Sequence, residues 1–438
     1  MILFYFLILL LPLTTHPLWT RTMAGVTPIK ALGLMIAVCA LVHFFRRNES
    51  PRFFSAWQAR LYGLLLVIAA VSLAANGQDF ELRREMLQIY VSLGLLFFVT
   101  LVLIDSLQCL RYVLLAMIAA TAVASLYVLR EWQVYHNIYP GLRPGGVSGD
   151  CNYFAASALI TLPMAYYFWR STARTWVRLL CVASIWLTLV AMLLGASRGG
   201  FLGLLAGLLM IIWRSRAKLR NLVLVSLTIG PLVLLAPSSP LRRLLQPDYA
   251  DNLGSDIRIV LWRAGWRMIQ EHPLFGVGLG NFAHMSGVYE DRSALYGTVT
   301  DKVQGLACNA FLELGAELGL IGLLVFVGIL VTTYISLGRV RQRTGGAKAN
   351  LLNMAATSMQ VGLVAFSVSL MFLSGQYLKP FWMLLFLSMC LPVLEAQQRR
   401  KLRKREPAKK ETEHSQPEPE LWYAATAVLG TVGNELVR

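Results

Sequence analysis

The sequence predicts an all-α polytopic membrane protein with about twelve transmembrane helices. Of its 438 residues, 56% are hydrophobic and only 14% are charged, whereas about 25% of the residues in a soluble domain are charged. The apolar residues form long continuous runs, which in a bilayer favour helices over barrel strands. Basic residues recur in alternate connections between these runs. This composition excludes a soluble enzyme with a single hydrophobic anchor.

Apolar runs of membrane-spanning length recur along the chain, and each crossing needs about 20 residues. The first run lacks a basic leading segment and a small-residue cleavage site, so it is predicted to be a span and not a removed signal. The spans are predicted at 2–15, 29–45, 61–76, 86–104, 110–130, 153–169, 177–196, 200–213, 221–237, 311–336, 351–374 and 379–396.

Lysine and arginine residues orient the predicted spans, since the cytoplasmic loops of membrane proteins are enriched in both. They cluster in five alternate connections, around Arg46, Arg111, Arg174, Arg216 and Arg341, and again in the tail after Arg399. With an even number of spans these clusters all lie on one side, which places both termini in the cytoplasm. The same distribution accounts for the net charge of +17 without a nucleic-acid partner.

The predicted spans and their orientation divide the chain into four parts. Transmembrane helices 1–9 occupy 1–237, a large extracytoplasmic loop occupies 238–310, helices 10–12 occupy 311–396, and a basic cytoplasmic tail occupies 397–438. The tail is predicted to be largely disordered, because EPAKKETEHSQPEPE cannot bury enough apolar surface to fold.

The large loop contains one predicted helix, Asp256–Gln270, which is amphipathic and is expected to lie at the membrane face. His272-Pro273 ends it, because a proline disfavours α geometry at the residue before it. The sequence GVGLGN then predicts a flexible turn, and Arg292–Gly305 is a polar interval. The apolar residues of the helix recur at helical spacing, at Ile257, Val260, Leu261, Ala264 and Met268.

No metal or other cofactor is predicted. GVGLG resembles part of a dinucleotide-binding fingerprint, but no βαβ unit surrounds it. His272 and His284 lack a third ligand nearby, and the six cysteines show no metal-binding spacing. A disulfide bond between Cys151 and Cys308 stays open, since sequence alone does not set connectivity.

Arginines in the predicted extracytoplasmic segments indicate an anionic ligand on that side, because the positive-inside rule depletes such residues there. Arg198 lies at the tip of a helical hairpin. The alternative to ligand binding is that its long side chain extends to the water at the membrane interface. Guanidinium groups suit phosphate oxygens in bidentate geometry. A lipid diphosphate at the membrane interface meets this requirement. The other members of the set are Arg83, Arg84, Arg143, Arg258, Arg263 and Arg267.

Two glutamates, Glu313 and Glu317, lie four residues apart on one face of the tenth predicted span. Carboxylates that enter a membrane are energetically expensive and are often functional. A structural role, as a helix cap or as the partner of a basic residue, is the alternative and is favoured over catalysis.

Together these motifs resemble the O-antigen ligase / O-antigen polymerase family of bacterial membrane glycosyltransferases. They are SRGG at a hairpin tip, R-x3-W followed by HPLFGVGLGNF, and AxNxFLExxxExGxxGL at the start of a helix. GDCNYFA at the start of the sixth span is also similar. The resemblance covers roughly 145–330 by motif and the remainder by topology.

The resemblance implies a GT-C-like fold in the bacterial inner membrane with an active site that faces the periplasm. Members of the family transfer a glycan from undecaprenyl diphosphate to an acceptor hydroxyl, with inversion and without a metal. The acceptor is lipid A–core in ligases, another carrier-linked repeat in polymerases, and a serine or threonine in protein O-oligosaccharyltransferases. The family's diphosphate-binding arginines correspond to Arg198 and Arg258. The family's His-Asn pair, at the start of the helix that follows the large loop, corresponds to Cys308-Asn309.

One position departs from the family pattern, because Cys308 stands where the family has the histidine proposed as general base. A thiol with a pKa of about 8.5 is a poorer base near neutral pH. Three alternatives follow. Another group acts instead (His284, Asp301 or Glu317), the acceptor needs little base assistance, or the protein is impaired or repurposed. The second is favoured, because diphosphate is a good leaving group.

A transporter of lipid-linked glycans is the alternative from a different class, since about twelve spans with both termini inside is common among transporters. The predicted spans are poor in charge and in broken helices, and the polar residues concentrate in one extracytoplasmic loop. These features favour the glycosyltransferase.

Overall fold

The computed structural model describes residues 1–11, 27–46, 56–75, 80–139, 141–215, 217–220, 222–223, 230, 249–289, 305–345 and 350–414. Within these residues, every regular element is a helix. The α-helices are α1 (Ile2–Leu10), α2 (Pro28–Arg46), α3 (Trp57–Ala75), α4 (Phe80–Leu103), α5 (Leu107–Tyr135), α6 (Cys151–Ser171), α7 (Thr175–Gly195), α8 (Arg198–Arg214), α9 (Tyr249–Glu271), α10 (Phe282–Tyr289), α11 (Ala310–Thr344), α12 (Leu351–Leu370) and α13 (Lys379–His414), and a 3-10 turn covers Gly146–Ser148.

Eight helices in the described part of the chain are long and apolar enough to cross a membrane, namely α2, α3, α4, α5, α7, α11, α12 and the first part of α13. They coincide with eight of the predicted spans. The predicted spans at 153–169 and 200–213 correspond to α6 and α8, which are helical but are not among the eight. Only nine residues of the predicted first span form a helix, and most of 221–237 lies outside the described residues.

Short polar side chains begin several of the helices by accepting hydrogen bonds from the first backbone amides, which have no partner within the helix. Asp150 accepts from the amides of Asn152 and Tyr153 at the start of α6. Ser197 does the same at α8, as does Asn350 at α12.

The centre of the bundle is α12, which packs against α6, α8 and α11. Small residues permit this close approach, as in many membrane helix pairs. A Cβ atom added to Gly203 would lie 2.4 Å from Leu159 Cδ1 and 2.6 Å from the carbonyl oxygen of Ala365. The glycine-rich side of α8 therefore fixes its position between α6 and α12.

The amphipathic helix predicted at Asp256–Gln270 lies within α9, which ends at Glu271, immediately before His272-Pro273. Its apolar face, however, packs on protein. Leu261, Met268 and Ile269 form a buried cluster with Phe282 and Ala316 of α10 and α11. Helical periodicity identified the buried face correctly but not the partner that covers it.

The predicted flexible turn GVGLGN is instead held by backbone hydrogen bonds to a break in α11. The break lies at Gly319, whose φ of 68° and ψ of −175° are not helical. It leaves carbonyl groups without helical partners, and the Ala316 and Glu317 oxygens accept from the amides of Val277 and Gly278 at 2.8 and 3.0 Å. In return, the Leu320 amide donates to Pro273.

The chain divides into two compact units, Met1–Pro392 and Val393–Arg438. In the second unit, helix α13 continues to His414, whereas the tail from 397 was predicted to be largely disordered. Its lysine, arginine and glutamate residues have high helix propensity, which composition-based reasoning about burial does not weigh. A Glu395–Arg399 ion pair of 2.5 Å, one turn apart, supports the helix where the predicted tail begins.

The remainder of the tail and most of the Arg292–Gly305 interval, including Asp301, lie outside the described residues.

Candidate functional site

A narrow polar cleft lies at one end of the bundle, where α6, α8 and α12 begin or end and α9 passes. We call it the arginine cleft. Three of the predicted arginines, from three separate segments, converge on it, although 115 residues separate the first from the last (Arg143 to Arg258). In the part of the chain that the structure describes, no aspartate or glutamate lines the cleft. The lining residues are Arg143, Asn152, Ser197, Arg198, Gly199, Arg258, Ser369, Phe372 and Leu373.

The SRGG sequence forms the tight turn between α7 and α8. Ala196 adopts a left-handed conformation with φ of 45°, and Ser197 caps α8 by accepting from the Gly200 amide at 3.2 Å. Both glycines are sterically required: a Cβ atom at Gly199 would lie 2.9 Å from Phe372 Cβ, and one at Gly200 would lie 2.5 Å from Ala155 Cβ. The turn therefore presents Arg198 to the cleft from a rigid position.

Arg143 braces this turn. Its Nε donates to the carbonyl oxygen of Gly195 at 3.2 Å, and its Nη2 lies 3.4 Å from the oxygens of Ala196 and of the Asn152 side chain. The same Asn152 oxygen accepts from the Ser197 hydroxyl at 2.7 Å. Arg143 and Asn152 thus connect the start of α6 to the hairpin tip, and part of the Arg143 hydrogen-bonding capacity is used within the protein.

Positive charge is concentrated in the cleft. Burial lowers the pKa of Arg198 from its usual value, and the charges of Arg258 and Arg143 lower it further. Both effects oppose the charged form of the guanidinium. Because arginine nevertheless stays charged near neutral pH, an anion in the cleft would be stabilised by all three groups at once.

Cys308, at the position of the family histidine, lies beside Arg258. Its backbone has φ of 49°, the left-handed region that non-glycine residues rarely adopt. Burial raises the pKa of the thiol, and the charge and hydrogen bond of Arg258 only partly oppose this effect. The thiol therefore remains protonated at neutral pH, which makes it unsuited to act as a general base.

Asn309 acts as the N-cap of α11, since its side-chain oxygen accepts from the amides of Phe311 and Leu312 at 3.1 and 3.2 Å. This bonding fixes where α11 starts and thereby holds the adjacent Cys308 next to Arg258. The position predicted to be catalytic thus has a defined structural task.

Replacing Asn309 by alanine is expected to lower the free energy of unfolding by about 1 kcal/mol, because the two amides lose their acceptor. Asn309→Asp, which keeps the acceptor oxygen, is expected to remain close to the wild-type stability. Thermal unfolding of the purified variants in one detergent compares them, and an unchanged melting temperature in Asn309→Ala would contradict the capping role.

Glu313 and Glu317 are each 1% exposed and are surrounded by hydrogen-bond donors. Glu313 accepts from the Ser374 hydroxyl, from the Gln376 side chain at 2.6 Å and from the Ala307 amide at 3.1 Å. These bonds tie the segment before α11 to the segment between α12 and α13. Glu313 thus connects two segments that are distant along the chain.

Glu317 accepts from the Phe282 amide at 3.3 Å and from the Tyr377 hydroxyl at 3.2 Å. The first bond is made at the first residue of α10, so the carboxylate acts as a cap for that helix from a distant part of the chain. Glu317 does not line the arginine cleft.

The remaining predicted arginines lie elsewhere. Arg83 and Arg84 are exposed in the first turns of α4, and Arg263 is exposed on α9. None of the three lines the arginine cleft. His284, considered as a substitute base, is exposed on α10 and is likewise absent from the lining.

Four lining residues were not singled out from the sequence, namely Asn152, Ser369, Phe372 and Leu373. Asn152 belongs to the GDCNYFA motif, so a residue-by-residue reading of that motif could have found it. Ser369 lies in the last turn of the apolar helix α12, and Phe372 and Leu373 follow its end, where no local pattern distinguishes them. Within the described residues, no group of histidine, cysteine, aspartate or glutamate could hold a metal ion, and Cys151 and Cys308 form no disulfide bond.

Comparison with known proteins supports the resemblance drawn from the motifs. Residues 183–327 match the family model described as O-antigen ligase. This range contains the α7–α8 turn, α9, the docked GVGLGN loop and the break in α11. No curated protein matches the chain. The chain is a multi-pass membrane protein by its apolar helices, and its residues 183–327 are similar to the O-antigen ligase family.

Proposed function

We propose that this protein is an O-antigen ligase that transfers a glycan from undecaprenyl diphosphate to an acceptor hydroxyl of lipid A–core, at the periplasmic face of the bacterial inner membrane. The observation that carries the proposal is the convergence of Arg143, Arg198 and Arg258 on one cleft that no carboxylate lines among the described residues. Arginine forks match the oxygens of a diphosphate in geometry and charge.

In the proposed reaction, the acceptor hydroxyl oxygen attacks the anomeric carbon of the glycan, and the bond from that carbon to the diphosphate oxygen breaks. Negative charge on the leaving oxygen grows as the bond lengthens. Arg198 and Arg258 would therefore stabilise the transition state more than the bound donor, which is the condition for raising the rate. Attack from the face opposite the leaving diphosphate inverts the anomeric configuration, and the acceptor proton is lost to solvent or to a base.

Cys308 is not assigned the role of base in this mechanism, because burial keeps its thiol protonated. A diphosphate that is stabilised by two arginines departs readily, so the acceptor needs little assistance. The charge of Arg258 acts on the thiol, and we assign Cys308 to positioning that guanidinium.

Replacing Cys308 by serine is accordingly expected to retain most of the transfer activity and to leave its dependence on pH unchanged between pH 6 and 8. The thiol pKa lies above its usual value, so the group does not titrate in this interval in the wild type. A general base typically contributes about 10²–10⁴-fold to the rate. A loss of that size in Cys308→Ser, or a change in the pH profile, would contradict the positioning role.

Ligases and polymerases of this family differ in the acceptor, and a deletion strain distinguishes them. Loss of all long chains from lipopolysaccharide, with accumulation of the lipid-linked polymer, is the result expected for a ligase. Lipopolysaccharide that carries single repeats would instead indicate a polymerase. Loss of sugar from envelope proteins alone would indicate a protein O-oligosaccharyltransferase.

Reconstitution distinguishes an enzyme from a transporter. Purified protein in vesicles, supplied with donor and acceptor on the same side and without an ion gradient, is expected to form product. Movement of the donor across the bilayer without product would favour the transporter.

A further inference from the structure

A second cavity, of about 810 Å³, lies between α7 and α8, the two helices whose connecting turn carries Arg198. We call it the hairpin groove. Residues of α6, α7, α8 and α12 line it. Its volume is in the range of about 300–1,000 Å³ that ligand sites occupy. It shares no lining residue with the arginine cleft.

The groove is apolar along most of its length and basic at one end. Its apolar lining includes Ile185 and Leu189 of α7 and Leu204 and Leu208 of α8. The basic end contains Arg170, Thr172, Arg178 and Arg220, which come from the end of α6, the connection after it, the first turn of α7 and the segment after α8. None of the described residues that line the groove is an aspartate or a glutamate.

Aromatic side chains reinforce this polarity. Arg170 donates to the Tyr166 hydroxyl at 3.0 Å, and its guanidinium lies 5.9 Å from the centre of the Tyr166 ring, so it is held at the basic end. Trp169, the neighbour of Arg170, also lines this end of the groove and is 37% exposed. Tryptophan and tyrosine are enriched at the level of lipid headgroups, which places the basic end near one surface of the bilayer.

We propose that the hairpin groove binds one anionic phospholipid, with an acyl chain between α7 and α8 and the headgroup phosphate on Arg170, Arg178 and Arg220. Basic pockets between membrane helices are known to select anionic headgroups. Three arginines, with no carboxylate among the described lining residues, favour a net negative lipid over a zwitterionic one, whose ammonium group they would repel. The acyl chain would separate the two helices that hold the Arg198 turn, so the lipid would support the geometry of the arginine cleft. The proposal does not depend on the function proposed above.

Native mass spectrometry of the full-length protein tests headgroup selection, with phosphatidylglycerol and phosphatidylethanolamine of identical acyl chains added to delipidated protein. One phosphatidylglycerol is expected to bind at least about tenfold more tightly than phosphatidylethanolamine. The combined variant Arg170→Gln, Arg178→Gln, Arg220→Gln is expected to lose this preference. A matched control, Arg46→Gln, Arg111→Gln, Arg339→Gln, removes the same charge from exposed arginines outside the groove.

A pair of neighbouring substitutions tests the place of the acyl chain. Leu208 lines the groove, whereas Leu209, the next residue of α8, does not and is 55% exposed. Leu208→Trp is expected to fill the groove and abolish retention of the lipid, and Leu209→Trp is expected to retain it. Equal binding of the two lipids to the wild type, or equal retention in the paired variants, would overturn the proposal. Gel filtration of every variant checks that it is folded.

Discussion

Replacing Arg198 by glutamine is expected to lower glycan transfer by about 100-fold or more, at an unchanged level of protein in the membrane. Removal of a single preorganised group that stabilises a developing charge typically lowers the rate constant by about 10²–10³-fold. Glutamine keeps much of the length and polarity of the side chain but removes the charge. The turn itself depends on Ser197, Gly199 and Gly200 and is therefore expected to remain intact.

The same loss is expected for Arg258→Gln, because both guanidinium groups face the same cleft. The double variant is expected to be little worse than either single variant if the two arginines act on one diphosphate as a unit. Arg130→Gln provides the control, since Arg130 is exposed on α5 and does not line the cleft. Banding of lipopolysaccharide on gels and transfer by purified protein measure the effect, and wild-type banding in both single variants would refute the assignment.

Replacing Gly319 by alanine is expected to destabilise the protein strongly, and by more than the loss of the Asn309 cap. Its φ of 68° and ψ of −175° lie in a region that is almost restricted to glycine, at a cost of about 1–3 kcal/mol for other residues. A Cβ atom would also lie 2.2 Å from the carbonyl oxygen of Leu274 and 2.6 Å from the amide nitrogen of Phe275. The docked loop must therefore move away from α11.

Displacement of this loop would break the bonds of Val277 and Gly278 to α11 and expose part of the cluster around Met268 and Phe282. A drop in melting temperature and early proteolysis after α9 are expected. Gly94→Ala is the matched control, because Gly94 lies within α4 with no atom within 4 Å of the added methyl group. An equal melting temperature for the two variants would show that the break in α11 is not required.

The sequence was sufficient to predict the helical class, eight of the spans and the arginines of the cleft. The composition and the length of the apolar runs predict the helical class and the spans, because a bilayer permits few alternative structures. The arginines stood out because residues such as Arg198 and Arg258 are rare in predicted extracytoplasmic segments. The convergence of these arginines on one cleft could not be predicted from any local pattern, because it depends on the packing of α6, α8, α9 and α12.

The tertiary contacts of the turn, of α9 and of Glu313 could not be predicted, and each has a physical reason. The glycines at 276, 278 and 280 indicated a turn, but only the break at Gly319 supplies the carbonyl groups that hold it. The apolar face of α9 was visible in its periodicity, yet periodicity does not distinguish a membrane surface from the side of α11. Glu313 accepts hydrogen bonds from Ser374 and Gln376, which lie more than 60 residues away along the chain.

The binding of undecaprenyl diphosphate to purified protein tests the central claim most directly. Intrinsic tryptophan fluorescence in detergent can follow the titration, with undecaprenol as the ligand that lacks the diphosphate. We predict that the wild type binds the diphosphate at least about 100-fold more tightly than the alcohol, as expected for two charge-assisted arginine contacts, and that Arg198→Gln, Arg258→Gln together remove this difference. Equal affinity of the wild type for the two lipids, or an undiminished preference in the double variant, would contradict the assignment of the arginine cleft as the donor site.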